Sequence, residues 1–235
     1  MLKFVMNLKT NLIQENQKNN IEKNNKSVSG LVWEKKKINK KEIDDLKDKL
    51  NIDLTLAKLA VSRGISYDHF ENFIDPKIKN LIPDPIILDD MQKATNKIIE
   101  FIKENRKIGI LGDYDVDGSS ATALFCNFFD DINVEYEYYI PDRLKEGYGP
   151  NIEAFQKLKD QNCNLILTLD CGTTSINSIN YIHKKGVDVI VVDHHIEGEV
   201  LPNAYAIINP NKKSDSSKLN NLCATGVVFF LFISL

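Results

Sequence analysis

The stretch Ile108-Gly-Ile-Leu-Gly-Asp-Tyr-Asp-Val-Asp-Gly118 joins a short apolar run to three alternating aspartates. Two later apolar runs also end in acidic residues: residues 165–169 lead into Asp170, and residues 187–192 lead into an Asp-His-His triplet. Short apolar runs separated by helical patterns are typical of buried parallel strands. Because functional groups gather beyond the carboxyl ends of such strands, we expect these carboxylates and imidazoles to line one crevice.

Strands and helices alternate from residue 89 onward. Asp89 or Asp90 is placed to cap a helix that runs to about Asn105, and Gly118 opens another helix. The pattern predicts strands at 107–113, 134–140, 164–169, 187–192 and 204–208, and further helices at 151–161 and 175–185. We therefore predict an α/β fold, with a mostly parallel sheet and flanking helices.

The chain divides into three regions by composition. Residues 1–27 are rich in Asn, Lys and Gln, which predicts a disordered or weakly structured leader. Residues 28–88 predict a small helical lead-in that ends near a Pro-Asp-Pro step, and residues 89–235 form the main domain. The apolar residues 223–235 look like an interrupted helix, so we expect the domain to be incomplete and the chain truncated at its C-terminus.

Composition excludes little and favours an ordinary globular protein. The net charge is −3, so bulk charge gives no attraction for a polyanion, which must come from a local basic patch or from bound metal. The four cysteines have no framework spacing, which favours reduced thiols in a cytoplasmic protein. The longest apolar run is too short to span a bilayer, so we expect no membrane partner.

The first aspartate motif has alternatives. It imitates a calcium-binding EF-hand loop, but position twelve is Leu124 rather than a bidentate Glu, so we reject that interpretation. Asp115-Val-Asp117-Gly118 also fits the haloacid-dehalogenase-type phosphatase signature, which stays a minor alternative. A capped helix N-terminus accounts for one aspartate, whereas three alternating carboxylates repel one another without a ligand.

The other two motifs also follow predicted strands. Asp170 begins a strand-to-helix turn, where a simple helix cap is the alternative role. His194 and His195 follow Asp193 after a run of Val and Ile; adjacent side chains at a strand end point to opposite sides. One imidazole can bind metal while the other faces substrate or is held by a carboxylate, although two ordinary surface histidines are the alternative.

The donor set predicts a metal centre. Oxygen-rich sites with one or two imidazoles suit Mn²⁺ or Mg²⁺ better than Zn²⁺. Two such ions a few ångströms apart activate a water and stabilise the attacking and leaving oxygens at a phosphoryl centre. We therefore expect metal-assisted phosphoester hydrolysis.

The ordered set of motifs resembles the DHH phosphoesterase superfamily, and within it the RecJ-type exonucleases specific for single-stranded DNA. The resemblance runs from about Trp33 to the end of the chain. Its motifs are Gly112-Asp-Tyr-Asp-Val-Asp-Gly118, Ile140-Pro-Asp-Arg143, Glu146-Gly-Tyr-Gly149, Leu169-Asp-Cys-Gly172, Val192-Asp-His-His195, Ile208-Asn-Pro210 and Leu222-Cys-Ala-Thr-Gly-Val227.

The resemblance implies a metal-binding role for five residues. Asp115 and Asp117 are expected as ligands of separate ions, and Asp113 as a further ligand or helper. Asp170 is expected to bridge the two ions, and His194 to bind one of them. The family has a further ligand, an Asp in a fourth motif beyond this sequence, so one ion is expected to lose a ligand.

The resemblance also implies roles around the substrate. His195 is expected to meet the scissile phosphate or assist the leaving group, and Asp193 to orient the histidines. Arg143 and the loop with Tyr148 and Gly149 are expected to contact DNA, although a turn with a packed Tyr is an alternative for that loop. Donors to phosphate at a helix N-terminus are expected from Thr173, Thr174 and Ser175.

The implied activity is 5′→3′ exonuclease hydrolysis of single-stranded DNA in repair and recombination, with two Mn²⁺ or Mg²⁺ ions. The expected partners are single-stranded DNA and, beyond it, a single-strand-binding protein and a helicase. Because the sequence ends before the fourth motif, this chain could be inactive. Two alternatives stay open: a catalytically dead scaffold that binds DNA or replication proteins, and a phosphatase of small nucleotides.

Overall fold

The computed structural model describes the backbone of Leu2–Val5 and residues 27–235. Of the leader predicted over residues 1–27, only Leu2–Val5 and Ser27 are described, and the rest lies outside the described residues. The chain forms two compact units, Met1–Ile82 and Pro83–Leu235. The domain boundaries that we derived from composition stay predictions.

The first unit combines a strand pair with short helices. β1 (Leu2–Val5) pairs antiparallel with β2 (Val32–Lys35), a strand that the helical interpretation of this region missed. The helices are α1 (Lys40–Leu50), α2 (Leu54–Ser62), α3 (Tyr67–Ile74) and α4 (Ile78–Leu81). Leu46, Ala60 and Phe70 form the buried apolar cluster of these helices.

The second unit alternates strands and helices, as the sequence predicts. Its helices are α5 (Met91–Lys103), α6 (Val116–Asp131), α7 (Arg143–Glu146), α8 (Ile152–Asp160), α9 (Ile176–His183) and α10 (Ala224–Ser234). Its strands are β3 (Ile108–Gly112), β4 (Tyr136–Tyr139), β5 (Leu165–Leu169), β6 (Asp188–Val192) and β7 (Ala206–Ile208). Within the described part of the chain, no helix has both the length and the apolar character needed to cross a membrane.

These strands form one parallel sheet in the order β4-β3-β5-β6-β7. Every residue of β3 and β5 is buried, which explains why their sequences are almost continuously apolar, with Thr168 as the polar exception, rather than alternating. The prediction of an α/β fold with a parallel sheet and flanking helices is confirmed.

The strand order reverses beside β3. The chain passes from β3 to β4 on one side and then returns to place β5 on the other side. Gly112, Leu169 and Val192 are register partners across β3, β5 and β6, so these strands end at one level. Open α/β sheets bind ligands at such a reversal, outside the carboxyl ends of the strands.

Candidate metal centre

The predicted site residues meet at this reversal of strand order. Asp113 and Asp115 follow β3, and Asp170 follows β5. One carboxylate oxygen from each of these three residues lies within 4.8 Å of the others. Gly118 lets the start of α6 pack against Asp113, because a Cβ there would lie 2.6 Å from the Asp113 Cβ and 2.7 Å from its carbonyl oxygen.

Asp170 is the most constrained carboxylate of the group. Its side chain is 1% exposed, and its backbone has φ of 62°, a left-handed conformation that is rare outside Gly and is often found at functional sites. Its Oδ1 is buried and has no hydrogen-bond partner. Burial raises the pKa of Asp170 to about 8, and the carboxylates of Asp117 and Asp115 add to the rise. Although His194 Nε2 lies 3.2 Å away, no hydrogen bond stabilises the ionised form of this buried oxygen.

The two aspartates after β3 differ in exposure. Asp113 is buried, and burial is the largest cause that raises its pKa, with a further contribution from Asp115. Asp115 is exposed and caps α6, since its Oδ1 accepts a hydrogen bond of 3.0 Å from the Gly118 amide. The helix-cap role that we weighed for this motif is thus real for Asp115, and its other oxygen takes no part in the cap.

A second donor group shares Asp170. One ligand atom each from Asp170, His194 and His195 lies within 4.8 Å of the others. The His194 Nε2 lies 3.2 Å from Asp170 Oδ1 and 3.6 Å from Asp117 Oδ2. Asp170 therefore belongs to both donor groups.

Asp117 lies beside these groups and contacts α10. Its carboxylate accepts hydrogen bonds from the amides of Ala224 and Thr225. Burial acts to raise the pKa of Asp117, but hydrogen bonding from the Thr225 side chain and from the two amides outweighs it and holds the pKa below its usual value. Asp117 thus stays ionised next to His194.

The two histidines are held differently. The His195 Nδ1 lies 2.7 Å from Asp193 Oδ1, and its Nε2 lies 3.3 Å from the Tyr148 hydroxyl. Burial acts to raise the pKa of Asp193, but hydrogen bonds from His195 and Thr173 outweigh it and lower the pKa to about 2. The hydrogen bond to Asp193 raises the pKa of His195. Asp193 therefore fixes the His195 ring and favours its protonated form.

Asn209 completes a closed ring of hydrogen bonds that the sequence analysis missed. It is fully buried after β7, and its amide nitrogen donates to Thr173 Oγ1 at 2.9 Å and to the His195 carbonyl at 2.8 Å. The Thr173 amide donates to Asp193 Oδ2 at 3.0 Å, and Asp193 returns to His195. Asn209 belongs to one of the motifs quoted from the sequence but had no predicted role; its place directly after a strand, like the other site residues, is the signal for that role.

The loop after β4 forms one wall of the site. The Glu146 carboxylate accepts hydrogen bonds from Tyr139, Asn151 and the Asp142 amide, so it anchors the loop. Tyr148 is 57% exposed and lies in edge contact with the His195 ring, at 6.0 Å between centroids.

The loop also brings a cation to the crevice. The Arg143 guanidinium lies 5.2 Å from the centre of the Tyr114 ring, and Tyr114 makes an edge contact with Tyr148. Gly149 has φ of 80°, and a Cβ at this position would come within 3.7 Å of Ser175 Oγ. Tyr148 therefore contacts His195, Arg143 lies over the neighbouring Tyr114 ring, and Gly149 lies near Ser175.

The predicted phosphate donors after β5 are arranged unequally. Thr173 is buried, and its amide is already bound to Asp193. Thr174 is exposed, and Ser175 occupies the N-cap position of α9 without a side-chain hydrogen bond to the helix. Thr174 and Ser175 are thus the members of this trio that remain open to a ligand.

The donor set fits a divalent cation. It consists of carboxylate oxygens and imidazole nitrogens, a combination that suits Mn²⁺ or Mg²⁺. A cation would also supply the partner that Asp170 Oδ1 lacks. The fold and the site define an α/β protein with a carboxylate and imidazole metal centre at the reversal of a parallel sheet.

Residues 107–234 match the model of the DHH family, N-terminal domain, so the chain belongs to the DHH family. It is 34% identical over 207 residues to the single-stranded-DNA-specific exonuclease RecJ of Bacillus subtilis, and 30% identical over 200 residues to RecJ of Escherichia coli. These matches cover 87% and 84% of this chain but 26% and 34% of the relatives. The chain therefore spans about a quarter to a third of their length.

Two solved structures show the same fold. A crystal structure of exonuclease RecJ bound to manganese has a TM-score of 0.57 and 30% identity, and the match covers 63% of this chain and 37% of that one. RecJ of Thermus thermophilus in complex with Mn²⁺ has a TM-score of 0.66 and 24% identity, with coverage of 83% and 27%.

Proposed function

We propose that this chain contains the metal-binding phosphoesterase domain of a RecJ-like exonuclease. It would hydrolyse single-stranded DNA from the 5′ end in cytoplasmic repair and recombination, with a single-strand-binding protein and a helicase as partners. The observation that carries the proposal is the pair of donor groups that share Asp170. The similarity to RecJ proteins, one of them solved with manganese, supports it.

The ligands would divide as the two groups divide. Asp113 and Asp115 would hold one ion with Asp170, and His194 would hold the other with Asp170. Asp117 lies within reach of the second ion because its Oδ2 is close to His194. Two bound ions would activate a water and stabilise the charge that develops on the phosphoryl oxygens.

His195 would handle the proton of the leaving group. Asp193 holds its Nδ1, so the Nε2 faces the Tyr148 side of the crevice with a proton to give. Donation of that proton to the departing 3′ oxygen neutralises the alkoxide as the P–O bond breaks. Asp193 then stabilises the histidine through the cycle, since it stays ionised at neutral pH.

Arg143 and Tyr148 would bind the strand. The guanidinium offers paired donors to a phosphate, and the exposed Tyr148 ring offers a stacking face to a base. Thr174 and Ser175 would add donors at the start of α9.

The test is release of mononucleotides from a 5′-phosphorylated single strand in Mn²⁺. Asp170→Ala should abolish release, and Asp131→Ala, an exposed acid at the far end of α6, should leave it unchanged. A dinucleotide substrate tests the alternative of a small-nucleotide phosphatase. Mn²⁺ binding by calorimetry without strand cleavage would favour a scaffold or an incomplete enzyme, and absence of Mn²⁺ binding would overturn the proposed metal centre.

A further inference from the structure

The first turn of α10 holds Asp117 from the far end of the described chain. The Ala224 amide donates to Asp117 Oδ2 at 2.7 Å, and the Thr225 amide donates to Oδ1 at 2.8 Å. The Thr225 hydroxyl donates to the Asp117 carbonyl oxygen at 3.0 Å. Both carboxylate oxygens and the backbone of Asp117 are therefore fixed by two consecutive residues.

This contact takes the place of an ordinary helix cap. The N-cap residue of α10 is Cys223, whose side chain makes no capping hydrogen bond. The first amides of a helix need acceptors, and an anion at this end is also favoured by the helix dipole. Asp117 supplies both, although it lies 107 residues earlier in the chain.

Apolar packing keeps α10 in place against α6, the helix that carries Asp117. Val227, Val228 and Leu231 are buried, and Phe232 lies 4.7 Å from Phe125 and 4.9 Å from Phe128 between ring centroids. A rigid helix pair can orient a charged group more sharply than a loop can. The Asp117 carboxylate is thereby held with Oδ2 3.6 Å from His194 Nε2.

We propose that the first turn of α10 positions Asp117 for the metal centre, with Thr225 as its positioning residue. The proposal rests on the proposed function, because it assumes that the centre binds a divalent cation. It predicts that loss of these hydrogen bonds weakens metal binding even when every ligand residue is intact, since partners of ligating groups typically contribute about 10-fold to 100-fold in metal affinity.

Ala224→Pro tests the amide contact. Proline is favoured at the first helical position, and Cys223 already has the extended conformation that a residue before proline requires, with φ of −80° and ψ of 168°. The substitution removes the donor to Asp117 Oδ2. Lys40→Pro is the matched control, because Lys40 is the exposed first residue of α1.

Thr225→Val tests the hydroxyl contact with little change in side-chain volume, and Thr225→Ser should restore it. The measurement is the Mn²⁺ dissociation constant by calorimetry, together with the melting temperature with and without Mn²⁺. We expect Ala224→Pro to weaken Mn²⁺ binding about tenfold and Thr225→Val about threefold, with Lys40→Pro and Thr225→Ser close to wild type. The rise in melting temperature on adding Mn²⁺ should shrink in the same order.

The outcomes separate this inference from the proposed function. Equal Mn²⁺ binding by wild type, Ala224→Pro and Thr225→Val would overturn the inference and leave the metal centre standing. If Ala224→Pro does not fold, the two Thr225 variants test the inference instead. Equal Mn²⁺ dissociation constants for Thr225→Val, Thr225→Ser and wild type would overturn it. If the wild-type chain binds no Mn²⁺, the proposed function fails and the inference fails with it.

Discussion

Two acidic clusters of the Pro83–Leu235 unit hold their charge in opposite ways. Asp89 and Asp90 face the Lys212 ammonium, whose side chain is 5% exposed, at 2.8 and 3.5 Å. Asp113 and Asp170 face other carboxylates, and Asp170 Oδ1 has no hydrogen-bond partner. The first cluster is neutralised by a buried lysine, whereas the second has only the histidines beside it and offers a donor set for a cation.

The Lys212 cluster serves the fold. The lysine also donates to the Ile207 carbonyl oxygen at 2.9 Å, and Asp90 accepts a hydrogen bond from the Ile207 amide. Asp90 stands at the N-cap position of α5, but its side chain does not cap that helix as the sequence predicted. Its side chain instead accepts a hydrogen bond from a backbone amide of β7, the edge strand of the sheet, where unpaired backbone groups can pair with other chains.

The pKa shifts of the two clusters follow the same division. Burial acts to raise the pKa of Asp89, but Lys212 and Ser214 outweigh it and lower the pKa. Burial, together with repulsion from the carboxylates of Asp117 and Asp115, raises the pKa of Asp170 to about 8. Acidic residues that share a strand end are therefore functional candidates when the protein leaves them without a counter-charge.

The largest effect is expected for Asp170→Asn. The variant should lose Mn²⁺ binding by more than about a hundredfold, since it removes the shared ligand. It should also melt at a higher temperature than wild type in chelator at about pH 8, because a buried charge is removed and Asn tolerates positive φ. Calorimetry and thermal melting check both effects.

Asp89→Asn is the control for that prediction. It should bind Mn²⁺ like wild type and melt at a lower temperature, because the ion pair with Lys212 is weakened. If Asp170→Asn were destabilised in chelator to the same extent as Asp89→Asn, the proposed difference between a structural cluster and a metal-binding cluster would be contradicted.

Lys212→Met should destabilise the protein by about 2 kcal/mol. Loss of the buried ammonium leaves two carboxylates facing each other, although their partial exposure keeps the cost below that of a fully buried broken pair. Mn²⁺ affinity should not change. Urea unfolding measures the effect, with Lys103→Met, at an exposed lysine in the last turn of α5, as control. Equal stability of the two variants would contradict a structural role for the Lys212 cluster.

Mn²⁺ binding should also depend on pH. Asp170 is protonated below about pH 8 in the metal-free protein, so Mn²⁺ must displace a proton, and its affinity should rise about tenfold per pH unit toward pH 8. Calorimetry at several pH values, in buffers with different ionisation enthalpies, counts the released proton. A flat profile between about pH 6 and 8 would contradict the assignment.

The raised pKa also predicts how the stability of the metal-free protein changes with pH. The folded state holds the Asp170 proton more tightly than the unfolded state, whose pKa is near 3.8. The contribution of Asp170 to the free energy of unfolding should therefore fall as pH rises from about 4 to about 8. Asp89 has the opposite sign, since its lowered pKa gives stability above pH 3.8 that is lost as pH falls.

Among the residues around the candidate metal centre, the smallest effect on metal binding is expected for Tyr148→Phe. The hydroxyl lies outside both donor groups, so Mn²⁺ affinity should stay within about twofold of wild type. Loss of the contact with His195 Nε2 should lower the rate of strand hydrolysis by about threefold to tenfold. An equal loss in Mn²⁺ affinity would show that Tyr148 supports the metal centre instead of the histidine.

The sequence by itself determined the parallel sheet and the strand ends that carry Asp113, Asp170 and Asp193. Apolar runs and the polar residues after them are local features, and parallel strands bring their carboxyl ends to one edge. The short strand β2 was missed because Val32–Lys35 lacks a clear alternating pattern, and its partner is distant in sequence.

Only the tertiary structure decided how each charge is satisfied. Lys212 meets Asp89 and Asp90 across more than a hundred residues, Asn209 closes the ring through Thr173 and His195, and α10 holds Asp117. Such partners have no sequence period, because they depend on which loops pack together once the sheet has formed. The same residue type therefore forms a structural ion pair beside β7 and part of the candidate metal centre beside β3.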